Sequence, residues 1–168
     1  ADLDLAQATL DVPELVWRKE SGEPARARFT VGLAGDRPTE ISDIAVNAGT
    51  LAAEGRARFD PDGAGIQSVE LARLEFGKTR LHGVDVSITP ARPEITIAGG
   101  EIDVEPMMAR EDEADAPAAG DGEEPGAPEE GHGDPLFLSA PRLDRVMFGE
   151  GRELSGVSVL LERDERHW

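Results

Sequence analysis

The chain predicts a mainly β protein. The expected form is a curved antiparallel meander with one apolar face left as an open groove, built from repeated units and carrying one long disordered acidic loop. Three observations predict it: apolar residues recur at every second position, turn signals punctuate the chain at short intervals, and one phrase occurs twice. Successive side chains of a strand point to opposite faces, so period-two alternation describes a sheet with one apolar and one wet side.

The alternation begins early. Ala27, Phe29, Val31 and Leu33 oppose Arg26, Arg28, Thr30 and Gly32. Leu51, Ala53, Gly55, Ala57 and Phe59 oppose Ala52, Glu54, Arg56 and Arg58. Leu3, Leu5, Leu81, Val84, Val86, Ile88, Ile95, Ile97, Ile102, Val104, Val157, Val159 and Leu161 continue the pattern. Turns are expected at Gly35-Asp36-Arg37-Pro38, Asp60-Pro61-Asp62-Gly63, Phe76-Gly77-Lys78, Pro90-Ala91-Arg92-Pro93, Gly99-Gly100 and Gly149-Glu150-Gly151. Such spacing suits hairpins and about ten short strands. The best helical candidate is Pro106-Met107-Met108-Ala109-Arg110, about one turn.

The repeated phrase starts as Leu71-Ala72-Arg73-Leu74-Glu75-Phe76-Gly77 and returns as Leu143-Asp144-Arg145-Val146-Met147-Phe148-Gly149. Each copy continues with an Arg and then Leu-x-Gly-Val-x-Val, at Leu81 to Val86 and at Leu154 to Val159. The second copy is longer by one residue, placed between Arg152 and Leu154. Ile41-Ser42-Asp43-Ile44-Ala45-Val46 is a weaker third echo. An internal repeat points to an array of like units.

Composition narrows the function. The net charge of −18 on 168 residues is mostly local. Residues 111–134 hold ten acidic side chains and no Lys or Arg, and removing them leaves −8. That insert is rich in Ala, Gly and Pro and cannot bury enough surface to offset its ordering entropy, so it is expected to be disordered. It is read as a loop between strands of one sheet, because the repeat lies on both sides of it. Nucleic acid is an unsuitable partner, since phosphate binding needs a basic surface. The absence of Cys excludes disulfides and Cys-ligated zinc. Aromatic residues are scarce, with two Trp, five Phe and no Tyr, which suggests a thin or open architecture carried by aliphatics. No apolar run reaches the length of a membrane span. The chain reads as a single β module over residues 1–168, cut from a larger protein.

No catalytic constellation stands out. There is no Ser-His-Asp arrangement with an elbow, and no glycine loop reads as a phosphate cradle. His82 is expected to be exposed or locally bonded, and His132 lies in the acidic run. Asp85, Asp103 and Asp144 are expected to face water. Trp17 is read as a buried residue at a strand end. Arg26, Arg28, Arg56 and Arg58 would form a basic stripe if their strands paired, with cross-strand pairing to acidic residues the expected outcome. Neither an enzymatic activity nor a cofactor or metal is expected.

Four phrases resemble one family in order. They are Leu15-Val16-Trp17-Arg18-Lys19 with Glu23-Pro24-Ala25, then Gly49 to Gly55, then Gly99-Gly100-Glu101-Ile102-Asp103-Val104-Glu105-Pro106, then Leu143 to Val157. Together they resemble AsmA-like bacterial envelope proteins of the YhdP type. The resemblance covers nearly all of the chain except the acidic insert. It implies a periplasmic segment, tethered to the inner membrane through a part of the protein not included here. It also implies a long sheet whose apolar trough carries phospholipid between inner and outer membranes and so maintains the outer-membrane barrier. The expected partners are phospholipid acyl chains and the rest of the same protein. The residues expected to line the groove are Phe29, Val31, Leu33, Leu51, Phe59, Leu81, Val84, Val86, Ile95, Ile97, Val157, Val159 and Leu161. The alternative from the residues alone is a structural or protein-interaction domain whose alternating strands enclose a core, as in a sandwich or barrel.

Overall fold

In the computed structural model, residues 1–62, 65–89, 92–114 and 136–163 are described. Eleven strands form among them: β1 (Asp2–Asp4), β2 (Leu10–Val12), β3 (Trp17–Lys19), β4 (Ala25–Ala34), β5 (Arg37–Ala48), β6 (Leu51–Phe59), β7 (Ile66–Phe76), β8 (Thr79–Ile88), β9 (Pro93–Asp103), β10 (Leu136–Met147) and β11 (Glu153–Arg163). One helix, α1 (Glu105–Ala114), follows β9. The fold is mainly β. Nine strands make one sheet in the order β1-β4-β5-β6-β7-β8-β9-β10-β11, and β2 and β3 make a separate hairpin. The sheet is open, since its two outer strands are not paired with each other.

From β4 to β9 every strand pairs antiparallel with the next in sequence, as a meander. Tight turns make this possible. Gly35, Gly49 and Gly77 adopt φ of 69°, 56° and 54° at the β4–β5, β5–β6 and β7–β8 connections, values that a Cβ disfavours. The meander is broken once: β10 runs parallel to β9. A parallel neighbour needs a crossover of a dozen or more residues, and residues 104–135 supply one. The segments on both sides of the acidic stretch are thus adjacent strands of one sheet, as the repeat implied.

Three local readings are corrected. The helix has ten residues and takes in 111–114, the first four of the acidic stretch; the rest of that stretch, with His132, lies outside the described residues. Asp103 Oδ1 accepts the Glu105 N–H at 3.1 Å at its start, and Pro106 sits in the first turn, where its missing N–H costs nothing. Gly99-Gly100 is not a turn. It lies inside β9, opposite His82 and Leu81. A Cβ on Gly100 would stand 2.2 Å from the Arg80 carbonyl oxygen, so the pair allows close strand approach. The extra residue of the second repeat lies in the turn: Phe76 pairs with Thr79, whereas the second hairpin closes with Phe148 N–H donating to the Arg152 carbonyl at 3.0 Å. Glu153 therefore occupies the position of Arg80.

Two clusters of buried residues hold the fold. One comprises Leu81, Val84, Ile97, Ala140, Leu143 and Val146, from the three neighbouring strands β8, β9 and β10. The other joins Trp17 to Ala25, Ala48 and Phe76, with Leu10, Val12, Leu15 and Met107 packed against it. The β2–β3 hairpin and α1 thus both pack on this second cluster. Lys19 anchors the hairpin: its fully buried ammonium donates to the carbonyls of Ala6, Ala8 and Glu20 at 3.2, 2.8 and 2.9 Å. An ammonium has three protons, and all three find acceptors.

Candidate functional site

Cross-strand pairing assembles an apolar row from one residue per strand. Val31 lies opposite Ile41, Ile41 opposite Ala57, Ala57 opposite Val69 and Val69 opposite Val86. Val86 then faces Ile95, Ile95 faces Leu138 and Leu138 faces Leu161. The row crosses eight strands, β4 to β11, without a polar member. A second row runs beside it through Ile44, Gly55, Leu71, Val84 and Ile97.

The intervening positions are polar. Glu40, Arg58, Ser68, Ser87 and Glu94 form one row, and Arg56, Glu70, Asp85 and Thr96 align in another. Opposite charges meet across these strands. Arg56 Nε donates to Glu70 Oε2 at 2.9 Å, and Arg58 also approaches Glu70, at 3.6 Å. Arg73 reaches both Glu75 and Glu54. The hydrogen bond from Arg56 holds the Glu70 carboxyl below its ordinary range, and that from Arg73 does the same for Glu75. The four arginines make no continuous stripe, because β5 separates β4 from β6. Arg26 and Arg28 lie opposite Asp4 and Asp2.

The expected groove residues fall into three settings. Val31, Leu33 and Leu161 are exposed, at 43, 62 and 44 %. Phe29, Phe59, Val86, Ile95, Val157 and Val159 are half-buried. Leu81, Val84 and Ile97 are buried in the packed cluster, and Leu51 is half-buried against the Trp17 cluster, among the residues packed there with the hairpin. Sequence reasoning missed Ile41, Ala57, Val69 and Leu138, which complete the row. Leu138 follows Leu136 and Phe137, which mask its alternation, whereas Val69 alternates plainly with Ser68 and Glu70.

Strict alternation also fails in an instructive place. Leu81 and Val84 are three residues apart yet share one cluster. Gly83, between them, has φ of 58°. A left-handed residue in a strand re-phases the alternation, as a bulge does. Asp43 and Gly156, the matching positions of the other two echoes, have φ of 52° and 64°.

The remaining polar candidates separate. His82 is exposed and lies opposite Arg73 and Gly99. Asp85 and Asp144 are exposed, but Asp103 is buried, contrary to expectation, because its Oδ1 accepts the Glu105 N–H at the start of α1 and its own N–H donates to Thr79 Oγ1 at 3.0 Å. Trp17 is buried at the start of β3, and its Nε1 donates to Thr50 Oγ1 at 3.2 Å. A cleft of about 430 Å³ opens beside it, walled by Phe76 and Met107 with Lys78 and Asp103 at its polar side. Among the described residues no three His, Asp or Glu side chains gather as metal ligands would. No family model matches this chain, and neither a curated protein nor a solved structure does.

Proposed function

We propose that this chain is a non-enzymatic β module that shields lipid acyl chains along an apolar trough. In the wider setting suggested by the AsmA-like phrases, it is a periplasmic segment that helps move phospholipid between the inner and outer membranes. The observation that carries the reading is the eight-strand apolar row with exposed members at its two ends. Seven strand spacings of about 4.8 Å make it roughly 34 Å long. One leaflet's hydrocarbon is about half of a roughly 30 Å core, so an acyl chain fits along the row with length to spare. Each buried methylene contributes about 0.8 kcal/mol, so partial coverage holds a lipid. A wall of aliphatics offers similar contacts at every position, which favours sliding over fixed binding. Polar rows at the alternate positions keep the other side of the strands wet.

Native mass spectrometry of the purified chain mixed with phospholipid tests this. Phospholipid adducts are expected on the unaltered protein and are lost in a Val31→Asp, Leu161→Asp double variant that melts normally. A bare protein mass under the same conditions overturns the reading.

A further inference from the structure

Three parts of the chain that are distant in sequence wall the cleft beside Trp17: residues 15–18, the turn between β7 and β8, and the start of α1. Its volume of about 430 Å³ falls in the range of small-ligand sites, roughly 300–1,000 Å³. Leu15, Val16, Trp17, Phe76 and Met107 make its body apolar. Val16, in that wall, is 40 % exposed.

Four charged side chains belong to the lining, and they are not equivalent. Arg18 follows Trp17 along β3, so it points to the opposite side of the strand, and its Nε pairs with Glu20 at 2.8 Å. The other three stay together. Asp103 is buried and fixed twice, since its N–H donates to Thr79 Oγ1 and its Oδ1 accepts the Glu105 N–H. Its Oδ2 meets the Lys78 ammonium at 3.7 Å, too far for a hydrogen bond. Glu105 Oε2 stands 3.6 Å from the same ammonium. The Glu105 carboxyl lies against Gly149 of the β10–β11 turn, where a Cβ would collide with it. Two placed carboxylates thus share one ammonium, whose side chain is 69 % exposed on a flexible stem. The trio carries −1, and its cation is the least fixed member.

We propose that this cleft binds an organic cation, an ammonium group on an apolar body. The body lies against Trp17, Phe76 and Met107, and the ammonium takes the place of Lys78 between Asp103 and Glu105. A carboxylate largely withdrawn from water favours a cation over a neutral group, and aromatic walls favour a cation over an anion. Lys78 gives way readily, because its ion pairs are exposed and such pairs are weak.

The probe is hexyltrimethylammonium, added to the full chain carrying Trp168→Phe so that Trp17 is the only indole. A saturable change in Trp17 emission is expected, with hexanoate and hexanol binding more weakly than the cation. Lys78→Ala removes the competing ammonium and should tighten the probe roughly two- to fivefold, while Glu105→Gln should weaken it by a similar factor. Both side chains are exposed enough for the variants to fold, which matched melting curves check. Four results overturn the proposal: no saturable change, hexanoate or hexanol binding as tightly as the cation, weaker cation binding in Lys78→Ala, or an affinity that neither charge variant alters. The signal should survive in the Val31→Asp, Leu161→Asp variant, which is expected to lose phospholipid, so this cleft and the apolar row stand or fall separately; loss of the signal there would also overturn the site.

Discussion

Gly83 and Gly156 occupy the same position in the two copies of the repeat and share a left-handed backbone, at φ of 58° and 64°. The turn-proximal halves of the hairpins share one register, with Leu71 facing Val84 as Leu143 faces Val157 and Arg73 facing His82 as Arg145 faces Ser155, while beyond Leu143 the second hairpin alone shifts, at Ala140. A phrase repeated in sequence is thus a hairpin repeated in space, with its phase step in the second strand.

The two glycines should differ in tolerance. A Cβ at Gly156 meets nothing within 4 Å, so Gly156→Ala is expected to cost only the left-handed strain, about 1–2 kcal/mol. A Cβ at Gly83 would stand 2.7 Å from the Ala98 Cβ, so Gly83→Ala should cost about 3 kcal/mol. Ala98→Gly in that background should recover part of the loss. At Asp43, a Gly is expected to shift stability by less than about 1 kcal/mol, because relieved strain opposes added unfolded-state entropy. Denaturant titrations of the set check the order.

Lys19→Met removes an ammonium that satisfies three carbonyls and leaves those acceptors buried without it. A loss of about 2–4 kcal/mol is expected, since hydrogen bonds to a charged group are among the stronger ones. The damage should concentrate in the β2–β3 hairpin, read as faster amide exchange at Trp17–Lys19 than in β8. Equal loosening of both would count against the anchoring role.

Acid should weaken the paired rows. Glu70 and Glu75 have folded-state values lowered from an ordinary value near 4.5, chiefly by hydrogen bonds from Arg56 and Arg73. A carboxyl lowered on folding stabilises the fold above its ordinary value, and that contribution disappears as pH falls through the folded value. Melting temperature should therefore drop between pH 6 and pH 3, and less steeply in a Glu70→Gln, Glu75→Gln variant. Added salt should narrow the difference, because both pairs are partly exposed.

Substitutions along the apolar row should separate folding from lipid capture by position. Val31→Asp and Leu161→Asp sit at exposed ends and are expected to leave the melting temperature within a few degrees while reducing phospholipid adducts. Val84→Asp buries a charge in the packed cluster and should prevent folding. Matched melting curves and native mass spectra decide it.

Much of the fold was legible because hairpins are local. Gly35 and Gly77 announce turns through a backbone that glycine accepts most readily, and the alternation on either side sets the strands. The apolar row was legible only in part. Val31, Ala57, Val86, Ile95 and Leu161 showed themselves by period two, but Leu138 follows Leu136 and Phe137, which hide its phase. Asp103 was misjudged because its neighbours in sequence look like a solvated strand end, whereas its surroundings come from α1 and Thr79.

By itself the sequence determined the strand content, several of the turns and the kinship of β7–β8 with β10–β11, since each is written in patterns a few residues long. Only the tertiary structure decided that β10 lies parallel beside β9, that Gly99-Gly100 is a place of close strand approach, and that Leu81 and Val84 share one cluster. The first depends on which strands meet after a crossover of some thirty residues, and loop closure over that distance leaves no local pattern in the chain; the other two depend on the fit of β8 against β9 and on the left-handed backbone of Gly83.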